Sequence, residues 1–532
     1  MFDVLIKGGR IADGTGKPAY TADLAILNGK IAKIAPQITE TAKEVIDAAG
    51  LVVAPGFIDV HNHSESFIFT GTDAYNYLEM GVTTQICGNC GESPVPYYEG
   101  ALRWIKDPEE RAACGKLAAT PATFMAAAEK ASIGVNMGFL IGHDPIRAYA
   151  MGYSPDAPDP QQLEIMCDWV RQAMEAGFLG YSTGLIYAPS AYGKTPELIA
   201  LAKAMAPYGG VYASHVRNEG DGVVEAVEEA IRIGKEAGVP VQISHLKVMG
   251  KHNEGLSQRL LQLIEDANCE GLPVAADQYP YEASHASLRS RIPAKYHAGG
   301  KDALLERLKD PAVRADIQKS VFESTGNQIG ASPIAARDVL ISELATHPEY
   351  VGMTLEQVAQ LWGANAADTL CDLLIESGTL GEGIYFNQNE SDILRILDSI
   401  WVCCGSDSSN RPDQRSDPET RFGVHPRCIG AFVRRLELQR KMGIRMEDAI
   451  CRITDAPARF FGLKGHGQLQ EGFDGNITVL DYENLRSLST YEYPHKGNEG
   501  IRYVLVNGTV AVREGRCTGS RAGKILKRTP NA

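Results

Sequence analysis

Two histidines one residue apart, His61 and His63, close the apolar run Val53-Ala54-Pro55-Gly56-Phe57-Ile58-Asp59-Val60. Along a strand, residues i and i+2 point to the same side, so both imidazoles can aim at one point just past its end. Neutral imidazole is the commonest metal ligand among side chains. Four more ligand-type residues follow later apolar runs: Cys90 in Gly88-Asn89-Cys90-Gly91, then His215, His245 and Asp407. Each alone is ordinary, since an isolated buried cysteine usually packs and an isolated histidine usually has a structural partner. Their recurrence at successive strand ends points to a metal centre. Histidine, cysteine and carboxylate form the borderline-soft mixture that Zn²⁺ accepts. Cys90, His215 and His245 make a three-ligand site with an open position, and His61 with His63 can complete a second. Asp407 can ligate, act as general base, or do both. Zinc brings the pKa of water towards about 7, and a carboxylate can take the remaining proton and return it to a leaving amine. The chemistry this set suits is hydrolysis of an amide-like bond.

These groups need a scaffold that brings distant strand ends to one rim. Candidate strands lie at 51–60, 83–87, 138–141, 180–183, 211–214, 239–244, 273–276 and 400–404. Helical stripes fall between several of them: Leu163, Cys167, Val170 and Met174; Val223, Val227, Ala230, Ile231 and Gly234; Leu256, Leu260, Leu263 and Ala267. Eight strands with helical crossovers predict an α/β fold, a (β/α)₈ TIM-like barrel, in which functional groups sit at the C-terminal strand ends. An open doubly wound sheet competes, but no G-x-G-x-x-G or Walker loop favours it. Residues 1–50 are β-rich, with a short strand over Phe2 to Lys7, a turn at Gly8-Gly9-Arg10 and a hairpin signal at Asn28-Gly29. Residues 466–532 repeat the idiom around Asn507-Gly508. Both ends are expected to combine into one small β-sandwich, with the barrel, 51–465, inserted between them. The span at about 285–350 is too long for one crossover and is expected to form an insertion near the barrel mouth.

The chain of 532 residues carries a net charge of -14, which argues against nucleic acid or an anionic membrane as main partner. Eleven scattered cysteines do not form a disulfide framework. No leader-like segment and no apolar stretch of spanning length stands out, so a reducing cytoplasm is the expected location.

The chain resembles the amidohydrolase superfamily and, within it, the N-acyl-D-amino-acid deacylases. The resemblance rests on the Pro55–His63 motif, Gly81-Val82-Thr83-Thr84, Gly88-Asn89-Cys90-Gly91, Tyr181 to Tyr187, His215-Val216-Arg217, Ser244-His245-Leu246-Lys247, Gly405-Ser406-Asp407 and His425-Pro426-Arg427. It implies zinc-dependent hydrolysis of N-acyl-D-amino acids, with one tight zinc on Cys90, His215 and His245. It implies a weaker second site at His61 and His63, Asp407 as general acid/base, and Tyr187 and Arg427 gripping the substrate carboxylate. Selectivity for D over L comes from this resemblance alone. Two departures stand out. Ser64 and Glu65 follow the H-x-H motif where relatives often carry two aspartates. A long charged loop also separates Asp407 from His425, so that Arg411, Arg415 or Arg421 can compete with Arg427.

Lys247, two residues past His245, can point to the same side. With Arg289 and Arg291 it can form a cationic pocket for an acidic side chain; the alternatives are pairing with local acids, the α-carboxylate or solvent. His143 follows the third strand and can support the mouth. Other activities open to the same scaffold are a cyclic amidase or a D- or isopeptide dipeptidase, and, in another class, a non-catalytic scaffold protein.

Overall fold

The computed structural model describes residues 1–97, 108–323, 333–411 and 417–528; Arg415 lies outside them. Eight parallel strands follow one another around a sheet: β1 (Phe57–Asn62), β2 (Val82–Cys87), β3 (Asn136–Gly142), β4 (Gly180–Gly184), β5 (Val211–His215), β6 (Val241–Ile243), β7 (Val274–Gln278) and β8 (Val402–Cys404). The ring closes just past β8, where the Asp407 N–H donates to His61 O at 2.8 Å and the His63 N–H to Ser408 O at 2.7 Å. Closure therefore places Asp407 against the H-x-H motif. The barrel floor is apolar: Ile58, Val60, Ile86, Leu140, Val211 and Ala213 pack with Phe461 and Leu463 from below. The three helical stripes form the helices Pro160–Ala176, Val223–Ala237 and Ser257–Cys269, each turning an apolar face to the barrel. The first begins with a capping box between Asp159 and Gln162 and ends at Gly177, in the left-handed conformation.

The expected strand over 51–60 is two strands. Val52–Pro55 belongs to the outer sheet and pairs with Phe2–Ile11 and Ile477–Leu480, whereas β1 belongs to the barrel. They part at Gly56, where any Cβ would lie 2.1 Å from the Thr83 side chain. Strands from both chain ends hydrogen-bond into one continuous sheet of nine. Gly8-Gly9-Arg10, expected as a turn, runs on within the first strand, and a bulge between Ile6 and Gly9 absorbs the irregularity.

Between β7 and β8 the chain leaves the barrel for longer than 285–350. Ala283–Ser287, Val339–Glu343 and Glu382–Phe386 form a three-stranded antiparallel sheet. The helices Leu355–Trp362 and Ala366–Glu376 join it, because Leu355, Val358, Leu370, Leu373 and Leu374 share a separate apolar core with Leu288, Ile341 and Tyr385. No helix among the described residues is long and apolar enough to cross a membrane.

Candidate metal centre

The barrel rim gathers the six ligand-type residues. Ligand atoms of His61, His63, Cys90 and Asp407 all lie within 4.8 Å of one another, and so do those of Cys90, His215 and His245. Cys90 belongs to both groups: its Sγ is 3.3 Å from His61 Nε2 and 3.4 Å from His245 Nε2. His245 Nε2 is also 2.9 Å from His215 Nδ1. Burial opposes a charged thiol, yet His61 and His245 hold Cys90 well below the usual thiol range. A thiolate flanked by three imidazoles is the donor set of a zinc site, and the residues present fit the ion.

Local backbone geometry is unusual at three of these residues. Cys90 (φ 53°), His245 (φ 34°) and Asp407 (φ 49°) all take positive φ, which side chains other than glycine rarely adopt. Such conformations cost about 1–3 kcal/mol each and persist where surrounding structure enforces them. Gly88 helps to enforce the first, because its own left-handed turn brings it so close to Leu140 O that a Cβ would sit 2.2 Å away.

Asp407 touches both the H-x-H motif and Arg427. Its Oδ1 lies 3.1 Å from His63 Nε2 and 3.5 Å from His61 Nε2, and its Oδ2 lies 2.8 Å from Arg427 Nη1. Burial pushes its pKa up, but Arg427 and His63 outweigh this and hold the carboxyl well below the usual range. The Arg427 guanidinium lies over the Tyr279 ring at 4.5 Å, and Lys247 Nζ lies 5.7 Å from the same ring. Behind Arg427, His425 accepts the Arg427 N–H at Nδ1 and faces Ala283 O through Nε2, each at 3.0 Å. Tyr187 stands with its ring edge-on to His215 at 5.1 Å.

The remaining cations expected at the mouth have separate neighbours. Lys247 is buried against Glu219 and lies 2.6 Å from His245 Nδ1. Arg291 stacks on Tyr385 at 4.5 Å, with Nε and Nη1 buried and unpartnered. Arg289 lies within electrostatic reach of the buried Asp144. In the charged loop, Arg411 reaches Cys428 Sγ at 3.3 Å, while Arg421 pairs with Glu492 at 2.7 Å. His143 is fully buried between Ser190 Oγ (2.6 Å) and Glu197 Oε1 (2.9 Å), outside both ligand groups. Glu65, at the departure from the family pattern, accepts the Gly88 N–H at 3.1 Å and so braces the Cys90 loop. Burial pushes its carboxyl up to about 7.

Two carboxylates escaped the reading from residue types. Asp277 lies 3.2 Å from His61 Nδ1 and accepts the His245 N–H and Gln242 Nε2, each at 2.9 Å. Glu219 lies 3.1 Å from His245 Nδ1 and 3.5 Å from His215 Nε2. The expected seventh strand stopped one residue short of Asp277. Glu219 stands four residues after His215, past the end of the expected fifth strand.

Residues 44–345 and 414–512 match the family model described as "Amidohydrolase family". The chain belongs to this family. It is 33% identical over 528 residues to a D-aminoacylase of Alcaligenes xylosoxydans xylosoxydans, covering 99% of this chain and 98% of that one. An N-acyl-D-glutamate deacylase from the same organism is 32% identical over 531 residues, covering 99% and 96%. Among solved structures, a D-aminoacylase superposes with a TM-score of 0.82 at 31% identity, covering 99% and 100%. An N-acyl-D-glutamate deacylase from Bordetella bronchiseptica, complexed with zinc and a phosphonate mimic of the tetrahedral intermediate, gives 0.81 at 31%, covering 99% of each chain.

Proposed function

We propose that this protein hydrolyses the amide bond of N-acyl-D-amino acids, releasing a carboxylate and a free D-amino acid. The observation that carries the reading is the position of Asp407, which lies against the H-x-H histidines on one side and Arg427 on the other. In this reading Cys90, His215 and His245 hold one tight zinc, and His61 and His63 contribute to a second, weaker site. Zinc, when bound, supplies Lewis-acid charge that polarises a carbonyl and acidifies water. Asp407 takes the proton of the attacking water as oxygen bonds to the acyl carbon. It then delivers that proton to the amide nitrogen as the C–N bond breaks; the water's second proton passes from the new carboxyl group to the amine, so the products leave as carboxylate and ammonium. Arg427 grips the substrate α-carboxylate through its planar fork, together with Tyr187, which stands beside His215. Lys247, expected in a cationic pocket, is neutralised by Glu219; Arg289 and Arg291 are the cations left for an acidic side chain. Eleven free cysteines suit a reducing compartment such as the cytoplasm.

Release of free amino acid from N-acetyl-D-methionine, N-acetyl-D-glutamate and N-acetyl-D-aspartate, against their L-enantiomers, is the test. D-selective release supports the proposal. Turnover confined to cyclic imides or dipeptides would replace it with the cyclic amidase or dipeptidase reading. A chain that binds no zinc and turns over nothing would be a scaffold protein.

A further inference from the structure

We infer that Glu219 is a positioning residue that orients two metal-ligand histidines at once. This rests on the proposed metal role of Cys90, His215 and His245. The two rings meet edge to face, with centroids 4.3 Å apart. His215 turns Nδ1, and His245 turns Nε2, towards the common point near Cys90 Sγ. Their other nitrogens both face Glu219: His245 Nδ1 lies 3.1 Å from Oε1, and His215 Nε2 lies 3.5 Å from Oε2.

An imidazole that gives one nitrogen to a metal carries its proton on the other, and that N–H needs an acceptor. His215 and His245 coordinate through different nitrogens, so they need opposite tautomers. The two oxygens of one carboxylate can serve both. The neighbouring Lys247 Nζ, 2.6 Å from His245 Nδ1, cannot be the acceptor, because an ammonium has no lone pair. Lys247 instead pairs with Glu219 and balances its charge in a pocket where both side chains are nearly inaccessible, at 3% and 8% exposure. Deleting this carboxylate therefore disturbs two ligands together, whereas Asp277 reaches the ring of His61 alone.

The test uses zinc-loaded full-length protein and two readouts other than turnover. Imidazole ¹⁵N NMR of the native chain should show His215 protonated at Nε2 and His245 at Nδ1; the reverse tautomer at either residue overturns the inference, and no variant is needed. Competition with a chromophoric chelator then compares native protein with Glu219→Gln. Glutamine keeps the shape but offers one acceptor oxygen for two N–H groups. Zinc affinity should fall about 10–100-fold, and the metal-free melting temperature should fall as well, because Lys247 loses its buried counter-charge. Native zinc affinity in E219Q, or a lowered metal-free melting temperature with unchanged affinity, would leave Glu219 a mere counter-ion of Lys247 and overturn the inference. Failure of the native chain to bind zinc would instead remove the metal reading itself.

Discussion

Asp407 and Arg427 form a buried ion pair, with Oδ2 2.8 Å from Nη1, while the other carboxylate oxygen faces His63. The general acid/base of the proposed reaction is thus tied to the group proposed to hold the substrate. Replacing Arg427 by Met should act on both. KM should rise about 10–100-fold through loss of a charged hydrogen bond. Asp407 must be ionised to accept a proton, and Arg427 is the largest influence lowering its pKa. The acid limb of the kcat/KM profile should therefore move to higher pH in R427M. A limb that stays in place would separate Asp407 from the observed ionisation.

Asp407→Ala removes proton transfer in both directions of the cycle. Turnover should drop about 10²–10⁴-fold, while the tight zinc on Cys90, His215 and His245 stays bound. Steady-state kinetics with metal analysis of the same sample checks this. Retained turnover would reassign the base.

Cys90 is the residue common to both ligand groups. Cys90→Ala should therefore remove tight zinc and activity together, and added zinc should not restore turnover. Elemental analysis after dialysis, followed by assay at graded zinc, gives the answer.

His285 is half-buried and His425 buried near Arg427, both in the neutral form. Burial first, then Arg427, pushes His285 down to about 3, and the same causes hold His425 well below the usual histidine range. Below about pH 6.5 the unfolded chain binds protons at these positions that the folded chain does not. Stability should accordingly fall as pH drops from about 6.5 towards 3. His285→Gln should flatten that slope in a plot of melting temperature against pH; an unchanged slope would place the acid sensitivity elsewhere.

Most of the eight barrel strands were legible as short apolar runs, and the ligand residues because they stand at or just past the ends of the expected strands. Other features depend on contacts between distant parts of the chain. The break between Val52–Pro55 and β1 depends on how closely Gly56 approaches Thr83. The extent of the excursion is set by a private core that recruits Leu355–Trp362 and Ala366–Glu376. Asp407 was recognisable as a strand-end acid, but its placement against His61 and His63 arises when the ring closes. Glu219 and Asp277 carry no local signature, since nothing in their spacing separates an acid that faces a histidine from one that faces water.

The strand Val52–Pro55 has a temporal consequence. One of its sides pairs with Phe2–Ile11, but the other pairs with Ile477–Leu480. At roughly 5–20 residues per second of synthesis, that second partner leaves the ribosome about 24–95 s after the first. Throughout that interval the nascent chain carries an open strand edge, a template for pairing with other chains. Arrest or truncation before residue 477 should thus yield aggregates.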